Sequence, residues 1–181
     1  MTVLPIRTIG DPVLHERARE VHPGELPELQ SFIDDLIETK RAANGAGIAA
    51  NQVGDLRRIA VVEVEPDNPR YPYKPPFPLT VLVNPEIEPI GDETIDINEG
   101  CLSVPERRGE VRRRARVRVR FLDRDGQEQE LEVAGLTAGT FQHEVDHLDG
   151  VLFVDRADSV STWADADFEE RARAIVEHYG S

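Results

Sequence analysis

From Val111 to Phe121 arginine occupies every second position (Arg112, Arg114, Arg116, Arg118 and Arg120), and Val111, Arg113, Ala115, Val117, Val119 and Phe121 fill the places between. A period of two means an extended chain whose side chains point alternately to opposite faces. One face is a row of cations that must stay wet and the other is largely apolar, the pattern of an antiparallel sheet with one buried face. A purely helical chain is excluded, as is a parallel sheet covered on both sides. Arg113 interrupts the apolar face, and a guanidinium there needs carboxylate partners.

Complementary elements surround this strand. Leu29, Phe32, Ile33, Leu36 and Ile37 recur at helical spacing between Pro23 and Pro27 and the Asn44-Gly45 breaker, which predicts an amphipathic helix over Glu25 to Ala43. Arg58 to Val64 and Leu79 to Val83 read as strands, and the prolines between Glu65 and Pro78 predict a surface loop because they withdraw donors from any ladder. Glu86 to Pro89 and Glu93 to Ile97 predict a hairpin across Ile90-Gly91-Asp92, and the Asp125-Gly126 turn predicts another that leads into Gln129 to Val133. A helix over Thr137 to Asp149 carries Ala138, Phe141, Val145 and Leu148 on one stripe and Thr140, His143, Glu144 and His147 on another. A last helix is expected from Trp163 to His178 behind a Ser161-Thr162 cap. The class is α+β: antiparallel sheets packed around a central helix, with an N-terminal and a C-terminal helix, in one domain spanning residues 1–181.

Charge and cysteine content narrow the function. Lys and Arg number 21 and Asp and Glu 35, a net charge of −14 that opposes direct nucleic-acid binding and adsorption to anionic membranes. No run of about 18 apolar residues exists, and Met1 to Gly10 lacks the basic and apolar segments of a secretory signal. A cytoplasmic monomer is the expectation. The single cysteine, Cys101, can form no intramolecular disulfide.

His143-Glu144-Val145-Asp146-His147 is an H-E-x-x-H sequence on the predicted helix, where two imidazoles four residues apart can share one metal ion. Glu144 can reach water at that ion without binding the metal itself. A hydrolytic site of this kind needs a third protein ligand and an open position. The pattern that ends in a third histidine fails, because Phe153 stands there. A downstream carboxylate, Glu169 or Glu170, is one candidate and Cys101 is another, although a lone cysteine is ordinarily an apolar filler. Gly45, Gly47 and Ala50 also fit the dinucleotide fingerprint G-x-G-x-x-A, but here the glycines follow a helix and lead to a strand, the reverse of what that fingerprint needs.

Three segments taken together, Gly45-Ala46-Gly47-Ile48-Ala49-Ala50-Asn51-Gln52, Glu99-Gly100-Cys101-Leu102-Ser103 and Gln142-His143-Glu144-Val145-Asp146-His147, resemble the motifs of the peptide deformylase family, and the resemblance covers about Leu4 to Val154. It implies that Cys101, His143 and His147 hold a divalent metal, Fe²⁺ in the cell, with Zn²⁺, Ni²⁺ or Co²⁺ able to replace it in isolated protein. It implies hydrolysis of N-formylmethionyl nascent peptides at the ribosome, with release of formate. By the same resemblance Glu144 is the acid–base, Gln52 and the Leu102 N–H meet the oxyanion, and Gly45, Ala46, Gly47, Ile48, Gly100, Arg108, Gly139 and Thr140 bind substrate. The glycines would let an extended peptide pair like an added strand, and the small Ala46 and Gly139 would widen the pocket for the first side chain. Glu99 and Asp146, in the flanking motifs, are the expected carboxylate partners of Arg113.

Two other readings compete. An H-E-x-x-H metallopeptidase with Glu169 or Glu170 as third ligand leaves Cys101 and the glycine motif unexplained. An RNA-binding module could use the arginine face, against the net charge and the many nearby carboxylates. The acidic stretch from Asp165 to Glu177 gives no electrostatic basis for docking on ribosomal RNA.

Overall fold

The structure, a computed structural model, describes residues 1–162 and 167–181. The apolar stripe after Pro23 forms α1 (Leu26–Ala42), with Pro27 in the first turn where no backbone donor is needed. Asn44, at φ 52°, and not the glycine after it, takes the left-handed position past the helix end. The chain continues through β1 (Gly47–Ala49), a 3-10 turn over Ala50–Val53 and β2 (Ile59–Val64). Beyond the proline loop come β3 (Phe77–Pro89), β4 (Thr94–Cys101), β5 (Val104–Arg114), β6 (Arg116–Leu122) and β7 (Glu128–Ala134). Then follow α2 (Gly135–Leu148), the single turn α3 (Phe153–Arg156), β8 (Ser159–Thr162) and α4 (Phe168–Tyr179).

The strands form two antiparallel sheets, β1-β2-β3-β6-β7 and β4-β5-β8. The expected hairpin over Glu86–Pro89 and Glu93–Ile97 does not form: Glu88 pairs with Arg118 in one sheet and Ile95 with Arg113 in the other. The alternating run from Val111 is likewise two strands, divided at Ala115. Both changes have one cause. Residues 77–101 and 104–122 run as one long antiparallel ribbon that bends from the first sheet into the second, held at the bend by Ile90 N–H to Arg116 O and Ala115 N–H to Glu93 O. The alternation survives the bend, with Arg113 and Val117 both buried, so periodicity alone could not reveal the change of sheet. The Asp125-Gly126 hairpin forms as expected between β6 and β7.

β2 is buried along its whole length. Ile59 and Val61 pack with Leu29, Ile33 and Leu36 of α1 on one face, while Ala60 and Val62 pack with Ala138, Phe141 and Leu148 of α2 on the other. The apolar stripe of α2 thus lies on the five-stranded sheet, and its polar stripe is left facing β4 and β5. The C-terminal helix starts later than the sequence suggests: Ser161 and Thr162 belong to β8, paired with Arg108 and Arg107, and α4 begins at Phe168 with no side-chain cap. Positions 163–166 of the expected helix lie outside the described residues.

Candidate active site

Two elements bring the expected ligands together. Cys101 ends β4 at an irregularity in its pairing with β5, and α2 carries His143 and His147 one turn apart. Cys101 Sγ lies 3.2 Å from His147 Nε2, which is 3.1 Å from His143 Nε2. A tetrahedral ion with Zn–S of roughly 2.3 Å and Zn–N of roughly 2.0–2.1 Å separates its S and N ligands by about 3.5 Å and its N ligands by about 3.3 Å, so this donor set fits one ion. Thiolate with two imidazoles suits Zn²⁺ or Fe²⁺. Glu169 and Glu170 lie in the first turn of α4 and do not join the cluster, which among the described residues consists of Cys101, His143 and His147.

A buried chain of charges fixes this geometry. Glu99 Oε1 bonds His143 Nδ1 at 2.7 Å, which turns Nε2 toward Cys101 and His147. Arg113, 4% exposed, clasps Glu99 with Nε at 2.6 Å and Nη2 at 2.9 Å, and reaches Asp146 with Nη1 at 2.6 Å. Both partners are those expected from the sequence. Burial pushes Glu99 up, but the Arg113 charge and hydrogen bonds, with His143, hold its carboxyl down at about 2. Arg156 closes the outer end of the chain on Asp146.

Glu144 is 3% exposed, and its Oε2 is buried with no hydrogen-bond partner among the described residues. Burial pushes its pKa up to about 7, against the opposing charges of His143 and Lys74. Space for this carboxylate comes from Gly47, where a Cβ would stand 2.4 Å from Glu144 Oε1. Gly45 serves similarly beside Leu102, whose Cδ1 would be 2.9 Å from such a Cβ. Packing against the site is therefore one reason for these glycines. β1 is also an edge strand, with β2 as its one strand neighbour among the described residues. Gln52, 1% exposed, accepts from Ala49 N–H through Oε1, donates to Ser103 Oγ at 3.0 Å and lies 3.6 Å from Cys101 Sγ.

A cleft enclosing about 730 Å³, part of it open to solvent, leads to this cluster, and Ala46, Gly47, Gly100, Leu102, Arg108, Gly139 and Thr140 line it together with Gln52 and Glu144. Ile48 does not; it is buried against α1. Gly139 does not widen the cleft by itself, because a Cβ there would meet Ile97 Cδ1 at 2.5 Å: Ile97 already uses the room. Arg108 is 1% exposed on β5, not an exposed loop residue, with Nε and Nη2 on Asn98, Nη2 also 3.0 Å from Tyr73 Oη, and its guanidinium 4.2 Å from the centre of the Phe168 ring. Sequence reasoning missed a whole wall: Tyr71, Tyr73 and Lys74 of the proline loop, and Phe168, Ala172 and Ile175 of α4. The available signal was two tyrosines spaced by one residue in a stretch otherwise read as solvated.

Three arginines of the exposed face are answered by acids. Arg112 pairs with Asp96, Arg118 with Glu132 and Arg120 with Glu130, in each case directly across the strand ladder. These pairs neutralise three of the five arginines on which the RNA-binding reading depended; Arg114 lies 3.8 Å from Asp92, and the Arg116 guanidinium stands over the Tyr179 ring.

An antiparallel α+β frame that closes a cysteine sulfur, two imidazoles and a buried carboxylate around one cleft is that of a metal-dependent hydrolase. The comparisons with known proteins narrow this class. Residues 3–163 match the model of the polypeptide deformylase family, and the chain belongs to that family. Peptide deformylase 2 of a Nostoc strain is 42% identical over 169 residues, covering 93% of this chain and 94% of its own. The peptide deformylase of Chromohalobacter salexigens is 45% identical over 157 residues, covering 86% of each chain. A Met-Ala-Ser-bound class I type b peptide deformylase from Acinetobacter baumannii superposes with a TM-score of 0.81 at 42% identity, over 86% of this chain and 98% of that one. An actinonin complex of a Synechococcus elongatus deformylase covers 99% of this chain and 87% of its own at a TM-score of 0.77 and 32% identity. The chain is a metal-dependent amide hydrolase that removes the formyl group from N-formyl peptides. No helix among the described residues is long and apolar enough to cross a membrane.

Proposed function

We propose that residues 1–181 act as one catalytic domain, a cytoplasmic monomer that deformylates nascent N-formylmethionyl peptides at the ribosome, with Fe²⁺ held by Cys101, His143 and His147. The observation that carries this reading is the buried, unpartnered Glu144 oxygen beside the converging Sγ and two Nε2 atoms. An unpaired carboxylate in a buried site costs free energy unless water or substrate completes it. The peptide bound to the Acinetobacter enzyme supports the substrate class.

The ion, when bound, supplies a Lewis acid that polarises the formyl carbonyl and makes water acidic enough to ionise near neutral pH. Glu144 takes a proton from the attacking water and returns it to the leaving nitrogen as the C–N bond breaks, leaving formate and a free amine. A carboxyl poised near 7 suits both transfers. The Leu102 N–H and the Gln52 amide donate to the oxygen that gains charge; one Gln52 N–H turns from Cys101 Sγ to do so. Gly45, Ala46, Gly47, Ile48 and Gly100 present backbone to an extended peptide, Arg108 holds it from the opposite wall, and Gly139 and Thr140 border its first side chain. Formate release from a formyl-Met peptide, measured anaerobically with metal analysis on the same sample, tests the reading. No formate from metal-loaded protein would overturn it.

A further inference from the structure

The cleft has a polar feature that deformylation does not require. Lys74 leaves the proline loop and lines the cleft beside Leu136, Gly139 and Thr140. Its Nζ donates to Thr140 Oγ1 at 2.9 Å and stands 4.6 Å from the centre of the Tyr71 ring. The Thr140 hydroxyl has one proton and gives it to Leu136 O within the helix, so toward Lys74 it acts as acceptor. An ammonium has three donors; among the described residues no carboxylate lies within 4 Å of this one, which leaves it donor capacity beyond the bond to Thr140. The charges that act on it belong to the same cleft, Glu99, Glu144 and Arg108, and burial lowers its pKa to about 8.

Resting on the deformylase reading, in which this part of the cleft takes the first side chain of the substrate, we propose that Lys74 is a specificity-determining residue that lets the enzyme accept a neutral hydrogen-bond acceptor there, namely the sulfoxide oxygen of oxidised methionine. Met and its sulfoxide share the same unbranched chain and differ by one oxygen. In an all-apolar pocket that oxygen loses its water and gains nothing. Beside Lys74 it accepts an N–H from Nζ while the methylenes keep their contacts with Ile97 and Leu136. Oxidised initiator methionine would then be deformylated rather than left blocked.

The test compares kcat/KM for three formyl peptides that differ only in the first residue: norleucine, methionine and methionine sulfoxide. It uses the metal-loaded wild type, Lys74→Met and Thr140→Val. The second variant keeps the lysine but removes the oxygen that orients it, and melting temperatures show that both fold. The readout is the sulfoxide-to-norleucine ratio within each protein, so a general loss of rate cancels. We expect the wild type to use the sulfoxide within about tenfold of norleucine, and the ratio to fall by about tenfold or more in Lys74→Met and by less in Thr140→Val. A wild type that ignores the sulfoxide, or ratios unchanged in both variants, would overturn the proposal while formate release from the norleucine peptide leaves the deformylase reading standing. No formate from any of the three would overturn both.

Discussion

Cys101 carries the choice between two metal chemistries. Sited 3.2 Å from His147 Nε2, it completes a set that neither Glu169 nor Glu170 joins. Cys101→Ala should therefore lose tight metal binding and activity, while Glu169→Ala and Glu170→Ala keep both, as read by metal content after dialysis. Metal retained without the thiol and lost with either glutamate would restore the peptidase alternative. Glu144 separates binding from chemistry. It contributes no ligand atom, so Glu144→Gln should keep the ion and lose ~10² to 10⁴ in kcat, the usual worth of a general base. A near-normal kcat in that variant would exclude the role. Gly47→Ala makes the same point from the other side, since a methyl 2.4 Å from Oε1 must push the carboxylate away. We expect it to slow the reaction with metal content intact, and an unaffected rate would mean that the carboxylate position is not critical.

Elements decide how those residues are held. Of the buried chain Asp146, Arg113, Glu99 and His143, the sequence showed the misplaced arginine and two candidate partners, because a cation on an apolar face is legible from alternation alone. Both stripes of α2 and the span of α1 were legible for the same reason, and the resemblance carried by the three motifs named Cys101, His143 and His147, which the fold brings together. The bend that sends β4 and β5 into a second sheet was not, because it leaves the period of two intact. The wall built by the proline loop and α4 was hidden as well: its contacts join residues far apart in the chain, such as Tyr73 against Phe168 at 5.6 Å, which no local pattern records. The chain of charges makes its own prediction. Arg113→Met strands Glu99 as a buried carboxylate and frees His143 to turn, so metal affinity should fall about 10- to 100-fold, with stability falling too because half of a buried pair remains. Chelator competition measures the first and thermal melting the second. A lower melting temperature with unchanged affinity would reduce Arg113 to a purely structural residue.

For the molecule as a whole, acid stability rests partly on a cluster outside the Cys101, His143 and His147 set, where α1 meets β2. Glu63, 8% exposed, is 2.8 Å from the wholly buried Lys40 ammonium and 2.8 Å from Arg41. The Arg41 hydrogen bond, outweighing burial and aided by Lys40, lowers its pKa from 4.5 to about 2. A carboxyl depressed in the folded state binds its proton more readily when unfolded. Its contribution is therefore complete above the unfolded value near 4.5 and is lost as pH falls from there through about 2. At about 1.4 kcal/mol per unit the ceiling is about 3 kcal/mol. Glu63→Gln should be less stable than wild type at pH 7, the more so because Lys40 is left buried without its counter-charge. The part of the gap that comes from ionisation should close between about pH 4.5 and 2. Urea unfolding of both proteins across that range measures it, and taking the difference cancels groups that titrate alike in both, Glu99 and the ligand histidines among them. A gap that stays constant with pH would show that Glu63 acts through packing and hydrogen bonds that a neutral amide lacks, and would assign the acid sensitivity of the fold to the metal-site carboxylates instead.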